Sequence, residues 1–538
     1  VNEYGGAGLA RIDSLAAVAS PGLIVALTLL GLFPLVAKAA VRAMESRRIY
    51  RPWPRPAKFD RNLVVIGGGA AGLVSAYIAA TVRAKVTLVE RHRMGGDCLN
   101  SGCVPSKALI EAARVANGIR HASDYGIRTQ PPEVDFKAVM SRVRRAVDEV
   151  APHDSVERYT SLGVECLRGH ARITSPWTVE VTENGMKQML STRAIVIATG
   201  ARPHVPNIPG IERTGYLTSE TLWNLDELPA RVMVLGGGPI GCEIAQAFRH
   251  LGSHVAIVEM AEHLLPREDT DVAAFVERRF RADGIDVHTG HRAIRFTAEN
   301  DFRALHAVHG TQDATIVFDT LICAVGRAPD TSALGLEALG IALTPSKTVD
   351  VNGFMQTKYP NIYACGDVAG PYQFTHTAAH TAWYAAVNAL FSPFRRFRAD
   401  FSVIPWATFT DPEVARVGLS EREARERGVP HEITTYDTGE LDRAIAEGRR
   451  EGVVKVLTVP GGDRILGAAI AGPHAGERII EFVNAMRDGA GLNRILGTVH
   501  IYPTWVEGNK YAAGSWKQAH APQWALDMAA RFHRWRRS

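Results

Sequence analysis

The chain contains the same glycine pattern twice, each time between an apolar strand and a helix. In the first copy, the apolar run Leu63–Ile66 leads into Gly67, Gly69 and Gly72, and a second apolar run ends at Glu90. This spacing predicts a β-α-β unit. The first glycine permits a tight turn, the second lets a pyrophosphate approach the backbone, and the third lets the helix pack on the strand. The carboxylate of Glu90 can accept hydrogen bonds from ribose hydroxyls, so the pattern predicts a dinucleotide-binding fold.

The second copy repeats every part of the first. Val232–Leu235 leads into Gly236, Gly238 and Gly241, and the following apolar run ends at Glu259. Two dinucleotide sites are implied, and both end in an acid. An acid suits a free ribose 2′-hydroxyl better than a 2′-phosphate, which would require arginine. We therefore expect the second site to prefer NADH to NADPH.

Two cysteines and a lysine follow the first glycine pattern at short range: Cys98, Cys103 and Lys107. The pair is typical of a disulfide that exchanges electrons with a flavin. Reduction of this disulfide would free a thiolate at Cys103, which positive charge or the helix predicted to begin near Cys103 would stabilise. An alternative is that both are buried structural cysteines. The other cysteines are scattered in apolar contexts and are predicted to be core residues: Cys166, Cys242, Cys323 and Cys365. This dispersal favours a reducing, cytoplasmic setting with no disulfide framework and no metal site.

From Asn62 to Lys517, five motifs in order resemble the pyridine nucleotide-disulfide oxidoreductases, the group that contains dihydrolipoamide dehydrogenase, glutathione reductase and mercuric reductase. The motifs are GGDCLNSGCVPSK at 95–107, ATG at 198–200, VGRAPD at 325–330, YACGDVAG at 363–370 and FTDPEVARVG at 409–418. The resemblance implies an α/β fold with two Rossmann-like dinucleotide-binding domains, for FAD and NAD, plus an α+β C-terminal dimerisation domain. It also implies a homodimer.

Carried over residue by residue, the resemblance assigns roles to the motif residues. FAD is expected on the first glycine loop and Glu90. Cys103 is expected to face the flavin, while Cys98 attacks the substrate. Lys107 is expected near the flavin N5, paired with Glu243 so that a buried charge gains a partner. Further cofactor-binding positions are Thr199, Gly200, Gly326 and Asp367, the last of these on the ribityl chain.

The predicted domain organisation follows the order of these motifs. Residues 1–61 form a membrane helix and a basic, proline-rich linker, 62–215 the first part of the FAD-binding domain, 216–340 the NAD(P)-binding domain, 341–400 the return segment of the FAD-binding domain, 401–515 the dimerisation domain, and 516–538 a basic amphipathic tail.

The sequence departs from the family near its C-terminus. Tyr502 stands where the disulfide reductases have a histidine, which a glutamate, here Glu507, holds and the partner subunit supplies as the acid-base of thiol exchange. An unperturbed tyrosine has a pKa of about 10 and is a poor base at neutral pH. The tyrosine therefore does not favour turnover of dihydrolipoamide or glutathione. One alternative is a packed core tyrosine. Another is that His500 acts instead, although in an extended segment it would point the same way as Tyr502.

The electron acceptor is therefore open. Mercuric reductase also has tyrosine in this region, which fits a metal acceptor that needs no proton relay, yet its C-terminal cysteine pair has no counterpart after Cys365. We predict an enzyme that passes electrons from NADH, with NADPH as the less favoured donor, through FAD to Cys98 and Cys103. A disulfide, a metal ion or another small molecule would accept them. The alternatives are a metal-ion or quinone reductase like mercuric reductase, and a redox-sensing flavoprotein with little turnover.

The N-terminal segment carries the charge of the chain. Residues 1–61 contain nine Lys or Arg against four Asp or Glu and account for the net charge of +5, so the near-neutral remainder argues against nucleic-acid binding. Ser14–Ala37 is uncharged and long enough to cross a bilayer. Basic residues follow it, so the positive-inside rule predicts an inner-membrane anchor with the catalytic body in the cytoplasm. The alternatives are a cytoplasmic protein with a soluble or interfacial helix, a cleaved signal peptide, and the end of a larger membrane domain. The prolines of Arg51–Pro56 predict a stiff linker.

The last residues of the chain place apolar side chains at near-helical spacing, with arginines between them. The apolar residues are Trp516, Trp524, Met528, Phe532 and Trp535, and the arginines are Arg531, Arg534, Arg536 and Arg537. This pattern favours a terminal helix that packs on its own dimer, with an interfacial membrane helix as the alternative.

Overall fold

The computed structural model describes residues 25, 27–33, 37, 48–299, 302–392 and 394–538. Within these ranges, no helix has both the length and the apolar character that crossing a membrane requires. Most of the predicted membrane segment Ser14–Ala37 lies outside the described residues.

Residues 61–203 supply six strands of the first sheet, the helices beside it, and one strand, Ala201–Pro203, that pairs antiparallel with Arg327–Pro329 outside that sheet. The strands are β1 (Arg61–Ile66), β2 (Val86–Glu90), β3 (Val164–Arg168), β4 (His170–Ser175), β5 (Thr178–Glu183), β6 (Met186–Ile197) and β7 (Ala201–Pro203). The helices are α1 (Ala70–Thr81), α2 (Gly96–Asn100), α3 (Cys103–Arg120), α4 (Phe136–Val150) and α5 (Val156–Ser161). Strand β1 pairs in parallel with β2 and β6, which buries its apolar residues on both faces. This is the β-α-β unit that the first glycine pattern predicts.

Residues 231–339 build the second unit. The strands are β8 (Arg231–Leu235), β9 (His254–Val258), β10 (Asp286–His288), β11 (Arg292–Glu299), β12 (Phe302–His309), β13 (Gln312–Phe318), β14 (Thr320–Cys323) and β15 (Arg327–Pro329). The helices are α6 (Pro239–Leu251), α7 (Thr270–Ala282) and α8 (Leu336–Leu339). Strands β10, β9, β8 and β14 form a parallel four-stranded sheet, while β11, β12 and β13 form an antiparallel sheet of their own. The second glycine pattern thus also lies in a β-α-β unit.

The chain then returns to the first sheet. Strand β16 (Ile362–Ala364) pairs in parallel with β6, and helix α9 (Thr375–Phe391) packs against α1. The start of α9 therefore lies beside the first glycine turn, although the two are far apart in sequence.

The C-terminal part contains an antiparallel sheet and the helices that connect or follow its strands. The strands are β17 (Pro405–Thr408), β18 (Glu413–Gly418), β19 (Glu432–Asp437), β20 (Val453–Thr458) and β21 (Ile465–Gly472). The helices are α10 (Glu421–Glu426), α11 (Asp442–Glu447), α12 (Ala475–Arg478), α13 (Ile480–Arg487), α14 (Leu492–Leu496), α15 (Glu507–Ala519) and α16 (Gln523–Trp535). The sheet order β17-β18-β21-β20-β19 gives the predicted α+β arrangement.

The proline-rich linker after residue 50 has no regular structure, as its prolines predict, but it is not a free spacer. The Tyr50 hydroxyl donates to Asn361 Oδ1 at 2.5 Å, and the Trp53 indole donates to the Tyr359 hydroxyl at 3.0 Å. Tyr50 also stacks on Trp177, with 4.8 Å between ring centroids. Hydrogen bonds and aromatic contacts thus hold this stretch on the first domain, a docking that the prediction of a stiff linker did not include.

Candidate active site

One cavity of about 1940 Å³ joins the two glycine turns and the cysteine pair. Sites for single small molecules commonly measure about 300–1,000 Å³, so this cavity has room for more than one ligand. Residues of both β-α-β units and of the C-terminal domain line it.

The first glycine turn leaves no room for side chains. Gly67 has a φ of +108°, and a Cβ there would lie 2.4 Å from the Ala198 carbonyl oxygen. A Cβ at Gly72 would lie 1.8 Å from the carbonyl oxygen of Gly67. The Glu90 carboxylate accepts a hydrogen bond from the Gly68 amide at 2.6 Å. The acid and the turn therefore meet where a ribose and a pyrophosphate would lie.

The second turn has the same geometry. Gly236 has a φ of +110°, and a Cβ at Gly241 would lie 1.9 Å from the Gly236 carbonyl oxygen. The Glu259 carboxylate accepts hydrogen bonds from the amides of Gly237 at 2.6 Å and Ala261 at 2.7 Å.

The middle glycines keep the helix N-termini open. Gly69 and Gly238 immediately precede α1 and α6. A Cβ at Gly238 would meet nothing within 4 Å, and at Gly69 it would meet only the Gly96 Cα at 3.6 Å. Both helices therefore present unpaired N–H groups and the positive ends of their dipoles to the cavity, which suits a pyrophosphate. The residues present fit two dinucleotides.

The predicted redox pair lies at the junction of α2 and α3, and both cysteines are thiols. Cys103 Sγ lies 3.4 Å from Thr375 Oγ1 at the start of α9. Hydrogen bonds from the Cys98 thiol and the Thr375 hydroxyl, together with the positive charge of Lys107, lower the pKa of Cys103 to about 6. The hydrogen bond with Cys103, together with burial, raises the pKa of Cys98. Cys103 is therefore the thiolate of the pair near neutral pH, and Cys98 holds the proton.

Lys107 connects the two β-α-β units. Its Nζ lies 2.8 Å from Glu243 Oε2, and the other carboxylate oxygen accepts from the Phe409 amide at 2.9 Å. Lys107 Nζ also lies 4.4 Å from the centroid of the Phe409 ring. Since Glu243 is only 7% exposed, its charge needs both partners.

Asp367 is a largely buried acid that lines the same cavity. Burial raises the pKa of Asp367 to about 6, although Arg327 Nε lies 3.7 Å from its Oδ2. Arg327 also pairs with Asp97, the neighbour of Cys98, and donates to the Ala201 carbonyl at 2.7 Å. This network fixes α2 against β15 and β7.

The other predicted cofactor positions also line the cavity. Thr199 Oγ1 donates to the Asp330 carbonyl at 2.6 Å, and Gly200 and Gly326 have φ values of +70° and +139°.

Comparison with known proteins agrees with this geometry. A profile described as pyridine nucleotide-disulphide oxidoreductase matches residues 61–383, and one described as the dimerisation domain of that family matches residues 404–513. The chain belongs to the pyridine nucleotide-disulphide oxidoreductase family. It is an FAD-dependent NAD(P)H disulfide oxidoreductase, and the predicted enzyme class and cofactors are confirmed.

Individual members of the family are similar over most of the chain. Mercuric reductase of Lysinibacillus sphaericus is 34% identical over 452 residues, which cover 84% of this chain and 82% of that protein. Dihydrolipoyl dehydrogenase of Thermus scotoductus is 34% identical over 461 residues, covering 84% and 96%. A solved Cu(II) complex of the HOCl-induced flavoprotein disulfide reductase RclA from Escherichia coli has a TM-score of 0.75 and 28% identity, covering 84% and 99%.

The structure does not bring Tyr502 to the cysteines within one protomer. Its hydroxyl donates to Asp442 Oδ2 at 2.7 Å, and its side chain is 65% exposed, so it is not a packed core residue. The hydrogen bond to Asp442 and the charge of that carboxylate raise the pKa of Tyr502. Glu507 is buried at the start of α15 and accepts from the Thr504 amide at 3.0 Å. Both residues lie in the dimerisation domain, but Glu507 does not hold Tyr502 in the described structure, because each has a different hydrogen-bond partner.

His500 does not point the same way as Tyr502, which corrects the sequence-based expectation. Its Nε2 lies 2.9 Å from Glu481 Oε1, and its side chain is 4% exposed. The reason is that residues 499–503 form no strand, so side chains two apart need not share a direction.

Three residues at this site were not predicted from the sequence. Thr375 lies in none of the quoted motifs. Arg327 lies in the VGRAPD motif, but its contacts with Asp97 and Asp367 were not predicted. Phe409 lies in a motif that indicated only the dimerisation domain. The remaining cysteines fit their predicted core positions: Cys242, Cys323 and Cys365 are buried, and Cys166 is half-buried.

Proposed function

We propose that this oxidoreductase uses NADH and delivers electrons from its cysteine pair to a thiophilic metal ion. The observation that carries the proposal is Tyr502. It occupies the position of the histidine that disulfide turnover needs. The hydrogen bond to Asp442 raises the pKa of Tyr502, so Tyr502 is a weaker acid and less of it is present as the basic phenolate at neutral pH.

Proton balance separates the two acceptor classes. At neutral pH the reduced pair is one thiolate, Cys103, and one thiol, Cys98, so its oxidation to a disulfide releases two electrons and one proton. A disulfide acceptor takes up two protons as its own two thiols form, so an acid-base group must deliver a proton to its leaving sulfur. A metal ion such as Hg(II) takes only the electrons, and the proton of Cys98 passes to water. A site without a suitable acid-base group therefore favours the metal ion.

The cysteine pair suits a soft cation. Cys103 is mostly a thiolate at neutral pH because its pKa is about 6, and thiolates bind soft metals. When bound, FAD would transfer electron pairs from the nicotinamide to the sulfurs. Lys107 and Glu243 form an ion pair in the same cavity as the cysteines. The similarity to mercuric reductases and to a reductase solved with Cu(II) supports this acceptor class. Because no cysteine follows Cys365, the metal would reach Cys98 and Cys103 directly.

The choice of NADH rests on Glu259. Its carboxylate is fixed by the amides of Gly237 and Ala261 at the edge of the second turn. A 2′-phosphate placed there would face a negative charge, whereas a 2′-hydroxyl could donate to it.

The test is anaerobic titration of the purified enzyme with NADH, followed by turnover with Hg(II), Cu(II), oxidised glutathione, lipoamide and a short-chain quinone. We expect metal reduction that Cys98→Ser abolishes and little disulfide turnover. Rapid disulfide turnover by the unaltered enzyme would overturn the acceptor class. If quinone turnover survives in Cys98→Ser, electrons reach the quinone without the cysteines. If NADH does not reduce the flavin, the redox-sensing alternative is favoured.

A gain-of-function variant sharpens this test. Tyr502→His should raise turnover of oxidised glutathione or lipoamide. Tyr125→His is the matched control, since Tyr125 is 61% exposed and its hydroxyl donates to the Glu447 carbonyl at 2.8 Å. Equal disulfide turnover in the two variants would contradict the role given to Tyr502.

We also propose a homodimer tethered to the inner face of the cell membrane. The dimerisation domain supports the first part. Apolar exposure near the N-terminus supports the second, because Leu29, Leu30 and Phe33 are 61%, 55% and 70% exposed and basic residues follow them. Membrane fractionation with and without residues 1–47 tests the tether. This truncation leaves the docked Tyr50 in place. Fractionation at high salt suppresses any attachment through arginines elsewhere in the chain, and equal distribution of the two forms between membrane and soluble fractions under that condition would disprove the N-terminal tether.

A further inference from the structure

The last helix of the chain, α16, presents an apolar face that the described protein does not cover. Trp524, Met528, Phe532 and Trp535 recur every three or four residues and so lie on one side of the helix. Their exposed fractions are 67%, 58%, 50% and 71%, and no residue of α16 is buried. Four large apolar side chains exposed together indicate a binding surface rather than scattered surface residues.

The helix stands away from the enzyme body. In the preceding helix, Trp516 is 5% exposed, and His520 Nε2 lies 2.8 Å from Glu432 Oε2. Pro522 then interrupts the helical path before α16 begins. Within the described part of the chain, no hydrogen bond or ion pair links residues 523–538 to any residue before Pro522.

The charge of this segment selects the partner. Residues 523–538 contain four arginines and one acid, Asp527. Arg531 and Arg534 lie along one border of the apolar stripe, about 20° and 80° around the helix from Trp524, where their long side chains can reach past it. Tryptophans at both ends of an apolar face with arginines along its border suit the headgroup region of a bilayer. A second copy of the chain would bring the same arginines together, which is unfavourable.

The position of α16 in the family supports a separate role. The dimerisation profile ends at residue 513, before α16 begins. The helix therefore lies outside the residues that the dimerisation profile matches.

We propose that α16 lies in the headgroup region of an anionic phospholipid bilayer, with Trp524, Met528, Phe532 and Trp535 inserted and the arginines paired with lipid phosphates. This contact depends neither on the electron acceptor nor on the N-terminal tether. It gives the enzyme a second, reversible attachment to the membrane at the far end of the chain.

Hydrogen–deuterium exchange of the full-length FAD-loaded enzyme tests this inference, because it reports on α16 separately from the N-terminus. The probes are vesicles of phosphatidylcholine with and without phosphatidylglycerol. We expect amide exchange in residues 523–535 to slow on the order of tenfold with phosphatidylglycerol, and to return to the lipid-free rate at high salt. Protection by both vesicle types alike would overturn the anionic specificity. Protection by neither would overturn the membrane contact.

Two variants locate the surface. Trp524→Gln combined with Phe532→Gln should abolish the protection, while Leu526→Gln should leave it intact. Leu526 is a matched control, because it is 51% exposed and lies about 200° around the helix from Trp524. If α16 is already protected without vesicles, and this protection grows with protein concentration, the surface binds a second copy and the proposal is wrong.

Discussion

The two glycine turns are nearly identical in geometry, but the chain takes a different course after each of them. In each turn, a glutamate accepts from a turn amide at 2.6 Å, and a Cβ at the third glycine would lie 1.8 Å or 1.9 Å from a carbonyl oxygen. After the first unit, the chain forms α2 and α3 with Cys98 and Cys103. After the second, it forms α7 without a redox group. The turn therefore determines that a dinucleotide binds, and the segment after it determines which chemistry the dinucleotide meets.

The third glycine of each turn offers the strongest way to separate the two sites. Gly72→Ala and Gly241→Ala place a Cβ on backbone oxygen, which costs about 3 kcal/mol or roughly 100-fold in binding. We expect Gly72→Ala to lose FAD during purification. Gly241→Ala should keep FAD but lose reduction by NADH. Flavin absorbance and stopped-flow reduction measure the two effects.

The control for these substitutions is Gly118→Ala, because a Cβ there meets nothing within 4 Å. Loss of FAD from Gly241→Ala would show that the two units do not act separately.

The contact between the units should give the next largest effect. Lys107→Gln leaves the carboxylate of Glu243 buried without its cation, and we expect flavin reduction by NADH to slow by about 10-fold with lower thermal stability. Arg114→Gln is the matched control: its pair with Glu413 has side-chain exposures of 38% and 13%, against 39% and 8% for Lys107 and Glu243. Equal effects of the two substitutions would mean that the position of Lys107 near the cysteines is unimportant.

Removing the acid from each turn sharpens the comparison further. Glu259→Ala should reduce the preference for NADH over NADPH by roughly tenfold, since it removes a charged hydrogen-bond acceptor. Glu90→Ala should leave that preference unchanged, because it lies at the other site. The ratio of kcat/KM for the two nucleotides measures both. A changed ratio in Glu90→Ala would contradict the assignment of the turns.

The smallest effect concerns Thr375, which has no counterpart beside the second turn. Cys103 alkylation by iodoacetamide should rise as pH increases through about 6, where its thiol ionises. Thr375→Val removes a hydrogen bond to the thiolate and should move this rise to higher pH, whereas Thr375→Ser should not. Peptide mapping identifies the alkylated cysteine. An unchanged profile in Thr375→Val would remove Thr375 from the site.

Local sequence patterns predicted the parts of the molecule that depend on local geometry. The glycines, the terminal acids and the Cys98 and Cys103 pair are each defined by spacing within a single β-α-β unit or the helix after it. Contacts such as Cys103 to Thr375 and Glu243 to Phe409 could not be predicted this way, because they join segments that only the folded sheet order brings together.

The error at His500 has a different cause. The prediction assumed an extended strand, in which side chains alternate, but the segment before Pro503 has an irregular path set by the contact with Glu481. Similarly, the prolines after residue 50 correctly predicted a lack of helix. They gave no information about Tyr50 and Trp53, whose hydrogen-bond partners lie more than 300 residues away in the sequence.

Because Tyr50 and Trp53 are docked on the first domain, the length of the chain before them limits the distance between residue 37 and the enzyme. Since Tyr50 is docked on the first domain, the chain from residue 37 to residue 50 can span at most about 45 Å. A molecule held at residue 37 therefore has an effective concentration in the millimolar range at the first domain. A partner held at residue 37 would therefore be bound to the enzyme much of the time even if its intrinsic affinity were weak.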